Sequence, residues 1–336
     1  MTVNLESRYL GMTLRNPLVV SANPLGREVA MIERLEASGA SAVVLPSLFE
    51  EQIEHEAYEV HQVLEYGAES SAEHAGGFLP EMQDYNTGPE RYLELVRNAK
   101  EAVSIPVIGS LNGASPGGWT EYARMIEDAG ADALELNIYF VAANLDETGA
   151  AVEARYLRLV QQVRTAIRIP LAVKIGPYFS SIGHFCRLLV EAGADGLVLF
   201  NRFNQPDIDL ETLEVLPRVR LTTSDSGRLT LRWIAILRGR IEASLAATTG
   251  VHTADDVLKL ILSGADATMM ASALLKHGPV RLATVLDGVR AWLEEHDYES
   301  IEQMKGSLSQ QYSPDPAAFE RANYMDALVS YTMPRV

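Results

Sequence analysis

SGASAVVL (residues 38–45), AGADALEL (129–136), AGADGLVL (192–199) and SGADATMM (263–270) are four copies of one phrase. Each copy closes a helix-like stretch with Gly-Ala and enters a short apolar run. Glycine just past a helix accepts the left-handed conformation that other residues resist. The run that follows is too short for a helix and suits a strand buried on both faces. A second phrase alternates with the first: NPLVVSA from Asn16, IPVIGSL from Ile105 and IPLAVKI from Ile169. There proline stops the incoming chain and opens the strand. A further strand fits residues 244–249. Strands are thus expected to begin near Pro17, Ala42, Pro106, Ala133, Pro170, Gly196, Ser244 and Ala267.

Helical segments lie between them. Tyr122, Met125, Ile126 and Ala129 follow i, i+3, i+4, i+7 spacing, and Val257, Leu260 and Ile261 line one face behind a Thr253/Asp256 capping box. Strict βα alternation implies a parallel sheet, and eight units imply closure into an α/β (β/α)₈ TIM barrel. The rival, an open doubly wound sheet, lacks a strand-linked G-x-G-x-x-G. The barrel is assigned to residues 1–306, with βα insertions at about 48–87 and 203–225. Residues 307–336 form a C-terminal extension. It opens with SLSQQYSPDP, a linker-like run, before a short helix around 319–328.

Of the 336 residues, 47% are apolar and 22% charged, enough for a large core and too apolar for wholesale disorder. The net charge of −17 argues against broad nucleic-acid binding. A single cysteine, Cys186, excludes an internal disulfide and a multi-thiolate zinc site. No apolar run is long enough for a membrane span, and residues 1–9 show no signal pattern. The expectation is a soluble cytoplasmic protein that binds neither nucleic acid nor membrane.

Barrel chemistry gathers at the C-terminal ends of the strands. Those ends read Ser21-Ala22-Asn23, Pro46-Ser47, Ser110-Leu111-Asn112, Asn137-Ile138-Tyr139, Lys174 with Gly176-Pro177-Tyr178, Asn201-Arg202, Thr248-Thr249-Gly250 and Ala271-Ser272. Amides and hydroxyls dominate, while His, Asp and Glu are scarce, so no catalytic metal is expected. Lys174 interrupts an apolar strand and needs an anionic or polar partner. It is readable in three ways: an ion pair with Glu135 on the neighbouring strand, a Schiff-base nucleophile as in barrel aldolases, or a cation that stabilises charge on a bound cofactor or substrate. Thr249-Gly250 and Ala271-Ser272 precede helices, where backbone N–H groups and the helix dipole favour a phosphate.

The ordered set of strand ends resembles the dihydroorotate dehydrogenase family over residues 4–306. Its carriers are Asn16-Pro17, Glu135-Leu136-Asn137, VKIGPYF (173–179), TTGVHT (248–253) and ASALLKHGP (271–279). The resemblance implies an FMN-containing barrel flavoprotein, an oxidoreductase that converts dihydroorotate to orotate in pyrimidine biosynthesis. The implied FMN contacts are Ala22, Asn23, Ser110, Asn112, Asn137, Lys174, Asn201, Ser226, Gly227, Thr249, Gly250, Ala271 and Ser272. Lys174 would lie beside the flavin, and the residues from strands seven and eight would cradle its phosphate. The Ser226-Gly227 step stands where the family has two glycines.

The substrate half departs from the family. The position of the family's catalytic Cys or Ser falls on Phe140, which cannot accept a proton, and a nearby family asparagine falls on Ala142. A second family lysine falls on Pro46, and the substrate loop reads His74-Ala75-Gly76-Gly77-Phe78. General-base help contributes about 10²–10⁴-fold, so the usual reaction is expected to be impaired. Tyr139 is the nearest group able to take the proton, with His74 and Asp146 as further candidates. Three readings stay open: an FMN-dependent oxidoreductase acting on dihydroorotate or a related small dihydro substrate, a non-catalytic FMN-binding or scaffold barrel, and a Schiff-base aldolase using Lys174.

Arg218, Arg220, Arg228, Arg232, Arg238 and Arg240 stand against one acid, Asp225, in this otherwise acidic chain. The stretch is either a solvated helix face or a contact surface for a homo-oligomer or an acidic redox partner.

Overall fold

The computed structural model describes residues 3–49, 89–113, 119–202, 205–216, 220–320, 324 and 328–329. Eight parallel strands form a closed barrel: β1 Leu18–Val20, β2 Ala42–Val44, β3 Val107–Asn112, β4 Ala133–Asn137, β5 Leu171–Ile175, β6 Gly196–Leu199, β7 Ser244–Ala247 and β8 Ala267–Met270. Neighbours pair in chain order, and β8 closes on β1 through Thr268 opposite Leu18. The strands begin where the two phrases place them. The fold is a (β/α)₈ TIM barrel.

The repeated phrase has a structural cause. Gly39, Gly130, Gly193 and Gly264 end their helices at φ of +109°, +97°, +110° and +118°, the left-handed region that favours glycine. Two residues later, Asp132, Asp195 and Asp266 each accept a backbone N–H at the start of the preceding barrel strand. The donors are Val107, Leu171 and Leu245, at 2.7, 2.8 and 2.8 Å. Each aspartate also pairs with a base, Lys100, Arg164 or Arg238 respectively. The first copy carries Ser41 instead, whose hydroxyl donates to the Leu18 carbonyl at 2.6 Å.

Alternate residues point into the barrel. Val19, Val44, Ile108, Ala133, Ala172, Val198, Ala246 and Met269 pack there with Tyr9, Leu10 and Leu14. Those last three belong to a hairpin, Ser7–Tyr9 with Met12–Leu14, that the sequence reading did not assign. The hairpin caps the lower end: Ser7 Oγ donates to the Asp266 carbonyl and the Leu10 N–H donates to Ser244 Oγ.

Within the first insertion, Leu48–Phe49 adds a short strand beside Leu111 and Asn112. The rest of that insertion, with Gly67, His74, Gly76, Gly77, Phe78 and Pro80, lies outside the described residues. The second insertion forms an antiparallel ribbon, Asp207–Asp209 with Glu214–Leu216, and Arg218 lies outside the described residues. The C-terminal segment follows the barrel wall: the N–H groups of Leu308 and Gln310 donate to the carbonyls of Leu262 and Ala235, both at 2.9 Å. A 3₁₀ turn at Pro316–Phe319 follows. Most of the stretch expected to be helical around 319–328 lies outside the described residues. Among the described residues, no helix is long and apolar enough to cross a membrane.

Candidate active site

A cavity of about 800 Å³ opens at the C-terminal ends of the strands. Its floor and walls carry Ala22, Asn23, Asn112, Asn137, Lys174 and Asn201, together with Thr249, Gly250, Ala271 and Ser272. These positions come from seven different strand ends (β1 and β3 to β8), and barrel closure alone brings them together.

The parallel register sets Asn137 opposite Lys174, and Glu135 one pleat lower. Of these two β4 side chains, Glu135 meets the lysine. Lys174 Nζ lies 3.2 Å from Glu135 Oε1 and donates to Ser21 Oγ at 3.4 Å. The two charged side chains are only 7% and 1% exposed. Lys174 reaches the cavity wall; Glu135 lies beneath it. The second oxygen of Glu135 is buried with no hydrogen-bond partner. Above them, Asn201 Nδ2 donates to Asn137 Oδ1 at 2.8 Å, an amide bridge that spans β5.

Ser110, Ser226 and Gly227 stand one layer behind the wall. Ser110 is fully buried, its hydroxyl 2.8 Å from that of Ser47, and its N–H donates to the Tyr92 phenol at 2.7 Å. Burial raises the Tyr92 pKa well above the ordinary phenol value, against the opposing hydrogen bond to the Ser110 backbone. Gly227 backs directly onto Gly250. A Cβ on Gly250 would sit 2.3 Å from the Gly227 nitrogen and 2.7 Å from its Cα. Thr249 and Gly250 both adopt positive φ, +75° and +84°, and Thr249 Oγ1 donates to the Phe200 carbonyl at 2.9 Å. The tight double turn brings Thr249 and Gly250 onto the cavity wall.

Across from it, Ser272 Oγ accepts from the Thr222 N–H at 3.2 Å, and Thr222 Oγ1 lies 3.0 Å from His252 Nε2. Burial holds the His252 imidazole below its ordinary pKa, with Asp256 pulling the other way. Thr222 and Leu221 on the wall were not singled out from the sequence, and Arg220 was read there only as part of the basic stretch. They sit in the irregular second insertion, where no periodicity marks a residue, although the insertion itself was placed over this face.

The loop after β4 divides its two aromatic residues. Tyr139 lines the cavity. Phe140 does not: it packs beneath the Arg155 guanidinium, 4.4 Å from the ring centre, and Arg155 is itself ion-paired to Glu147. Tyr156 hydrogen-bonds to the Phe140 backbone, and burial pushes its phenol up to about 12. Asp146 is exposed and off the wall, and His74 lies outside the described residues.

The geometry defines a barrel whose polar, cation-bearing mouth suits an anionic or phosphorylated ligand. Comparison with known proteins narrows this. The dihydroorotate dehydrogenase family profile matches residues 4–293. A protein of Aeropyrum pernix, provisionally named dihydroorotate dehydrogenase A (fumarate), is 30% identical over 240 residues, covering 69% of this chain and 77% of that one. The catalytic subunit of dihydroorotate dehydrogenase B (NAD(+)) from Methanothermobacter thermautotrophicus is 25% identical over 313 residues, 90% of this chain and 97% of the relative. The corresponding Pyrococcus abyssi subunit is 26% identical over 313 residues, 90% and 98%. The chain belongs to the dihydroorotate dehydrogenase family, and its relatives mark it as an oxidoreductase of that type.

Proposed function

We propose that this chain binds FMN non-covalently in the cavity and uses it to oxidise a small dihydro substrate of the dihydroorotate kind. The observation that carries the reading is the Lys174 ammonium on the wall of the cavity that also holds the Asn137–Asn201 bridge and a turn whose Gly250 has no room for a Cβ. These residues fit the cofactor. The N–H groups of the Thr249-Gly250 turn and of Ala271-Ser272 would hold its phosphate. Ala22, Asn23, Asn112, Asn137, Asn201 and Lys174 would hold its ring system, with Ser110, Ser226 and Gly227 as the supporting layer. Bound FMN supplies the two-electron acceptor for a substrate hydride.

The chain's own contribution is positional and electrostatic. Amides orient a polar ring, and Lys174 places a cation where negative charge develops. Proton removal is the weak point. Phe140, at the family's base position, is packed under Arg155, which leaves Tyr139 as the group from this loop on the wall. Activity on dihydroorotate is therefore expected to be low, and a different dihydro substrate is favoured.

A flavin spectrum in the purified protein, or a rise in melting temperature on adding FMN, supports the cofactor reading; a colourless protein unmoved by FMN overturns it. Anaerobic mixing with dihydroorotate then separates enzyme from scaffold. The scaffold reading is the second one, favoured by Phe140 and by Pro46 in place of a lysine. The ion pair to Glu135 speaks against a Schiff base, which needs a neutral amine, and borohydride trapping tests that point.

The cavity mouth also supports a contact surface for a second copy or an acidic redox carrier. The ribbon turns Ile208, Leu210, Leu213 and Val215 outward, with Leu210 and Leu213 each 80% exposed. Arg238 is committed to Asp266, and Arg220 and Arg228 pair with Asp207 and Asp225. The surface therefore rests on the ribbon, with Arg232 and the exposed Arg228–Asp225 pair at the following helix as the charges to test. Association that weakens with salt and in a double reversal of Arg228 and Arg232 to Glu supports it.

A further inference from the structure

The carboxylate of Glu135 touches neither the cavity nor solvent, yet it determines what Lys174 presents there. It is buried one pleat beneath Asn137, among Ala133, Ala172 and Tyr9 in the barrel interior. Its Oε1 meets Lys174 at 3.2 Å, and its Oε2 has no hydrogen-bond partner. The Tyr9 phenol, raised well above its ordinary pKa by burial and then by Glu135, also has no partner. Lys174 is thus the hydrogen-bonded cation of a buried anion, and the wall carries a lysine whose charge is already opposed from below.

We propose that Glu135 is a positioning residue that fixes the Lys174 ammonium at the cavity wall and offsets its charge. The redox potential of a flavin bound there is then set by the pair and not by the lysine alone. The proposal rests on the FMN reading. Negative charge on the reduced ring is favoured by the lysine and disfavoured by the glutamate, and both effects are strong because the pair is screened from water. A neutral partner of the same shape leaves the cation unopposed. A shorter carboxylate keeps the opposing charge. Neutralising both partners removes two opposed effects together.

The test is reductive titration of the FMN-loaded wild type against Glu135→Gln, Glu135→Asp and the double variant Lys174→Met/Glu135→Gln, at one pH, with the affinity of each apoprotein for oxidised FMN. Glu135→Gln is expected to favour reduced over oxidised flavin by about tenfold or more, which is about 30 mV upward for a two-electron couple. Glu135→Asp and the double variant are expected to stay within about threefold of wild type. A merely structural carboxylate predicts similar shifts in Gln and Asp variants, and that result overturns the proposal. So does a Glu135→Gln potential that is unchanged or lower. If Glu135→Gln does not fold, the double variant decides: a shift of tenfold or more from wild type overturns the proposal, and agreement within threefold supports it. A wild-type protein that takes no FMN overturns the cofactor reading and this proposal together; FMN-loaded protein with an unmoved potential overturns this proposal alone.

Discussion

The ammonium of Lys174 and the carboxylate of Glu135 meet 3.2 Å apart inside the barrel, on adjacent strands, with the second carboxylate oxygen unsatisfied. Parallel pairing imposes this meeting. Asn137 is opposite Lys174, so the next inward residue on β4 is Glu135, directly below the lysine's reach. A buried pair contributes little over an apolar pair of equal shape, but breaking it strands a charge.

Lys174→Met alone is therefore expected to destabilise the fold by about 3–5 kcal/mol, because the buried Glu135 carboxylate loses its cation. Adding Glu135→Gln should recover most of the loss, as the remaining groups are neutral and of similar size. Urea denaturation of both variants checks this. Equal midpoints for the single and double variants would show that the ion pair is not what the mutation breaks.

The barrel was legible because its local signals repeat: a left-handed glycine, an aspartate that ties the helix end to the start of the preceding strand, and an apolar run recur at three of four copies of one phrase. The hairpin at Ser7–Leu14 was not legible. Its strands are three residues each, and their purpose, plugging the barrel with Tyr9, is tertiary. At the site, strand ends announced their residues but not their depth. Ser110 reads as a wall residue and is fully buried off the wall, bonded to Ser47, while Thr222 reaches the wall from a loop with no pattern. The Lys174–Glu135 pair was open to sequence reasoning because a charge in an apolar strand needs a partner.

Gly250 is the position where the cavity loop tolerates no side chain. Its φ is +84°, and a Cβ would enter the Gly227 backbone at 2.3 Å. Backbone cannot swing aside as a flexible side chain does. Gly250→Ala is expected to weaken FMN binding by about tenfold or more and to destabilise the apoprotein by about 1–3 kcal/mol. Fluorescence titration and thermal melting of the same samples separate the two effects. Unchanged FMN affinity in a variant that melts early would place the phosphate elsewhere.

Asp266 ties three elements together: it accepts the Leu245 N–H at 2.8 Å and pairs with Arg238 at 3.1 Å and Lys305 at 3.0 Å. Lys305 is only 3% exposed. Asp266→Ala leaves a buried amide and a buried ammonium short of a partner, although Glu302 still holds Lys305 at 2.8 Å. A loss of about 2–4 kcal/mol is expected, with the cavity left intact. Denaturation midpoints together with FMN affinity check both halves. Asp195→Ala makes the comparison: its partner Arg164 is 24% exposed and more easily hydrated, so the loss should be smaller.

Proton removal decides whether this barrel is still an enzyme. Phe140, the residue that the family resemblance puts at the base position, has its ring under Arg155 and off the cavity wall. Replacing Phe140 with Ser should accordingly leave the rate of flavin reduction by dihydroorotate within about threefold of wild type, because a hydroxyl there does not face the substrate. Tyr139 does line the cavity. If a side chain of this loop takes the proton, Tyr139→Phe should lower the residual rate by about 10²–10⁴-fold while FMN affinity holds. Stopped-flow bleaching of bound flavin under anaerobic conditions measures both variants. A Tyr139→Phe protein that bleaches at the wild-type rate removes Tyr139 from the chemistry, and a fast Phe140→Ser protein would show that the loop turns inward when substrate binds.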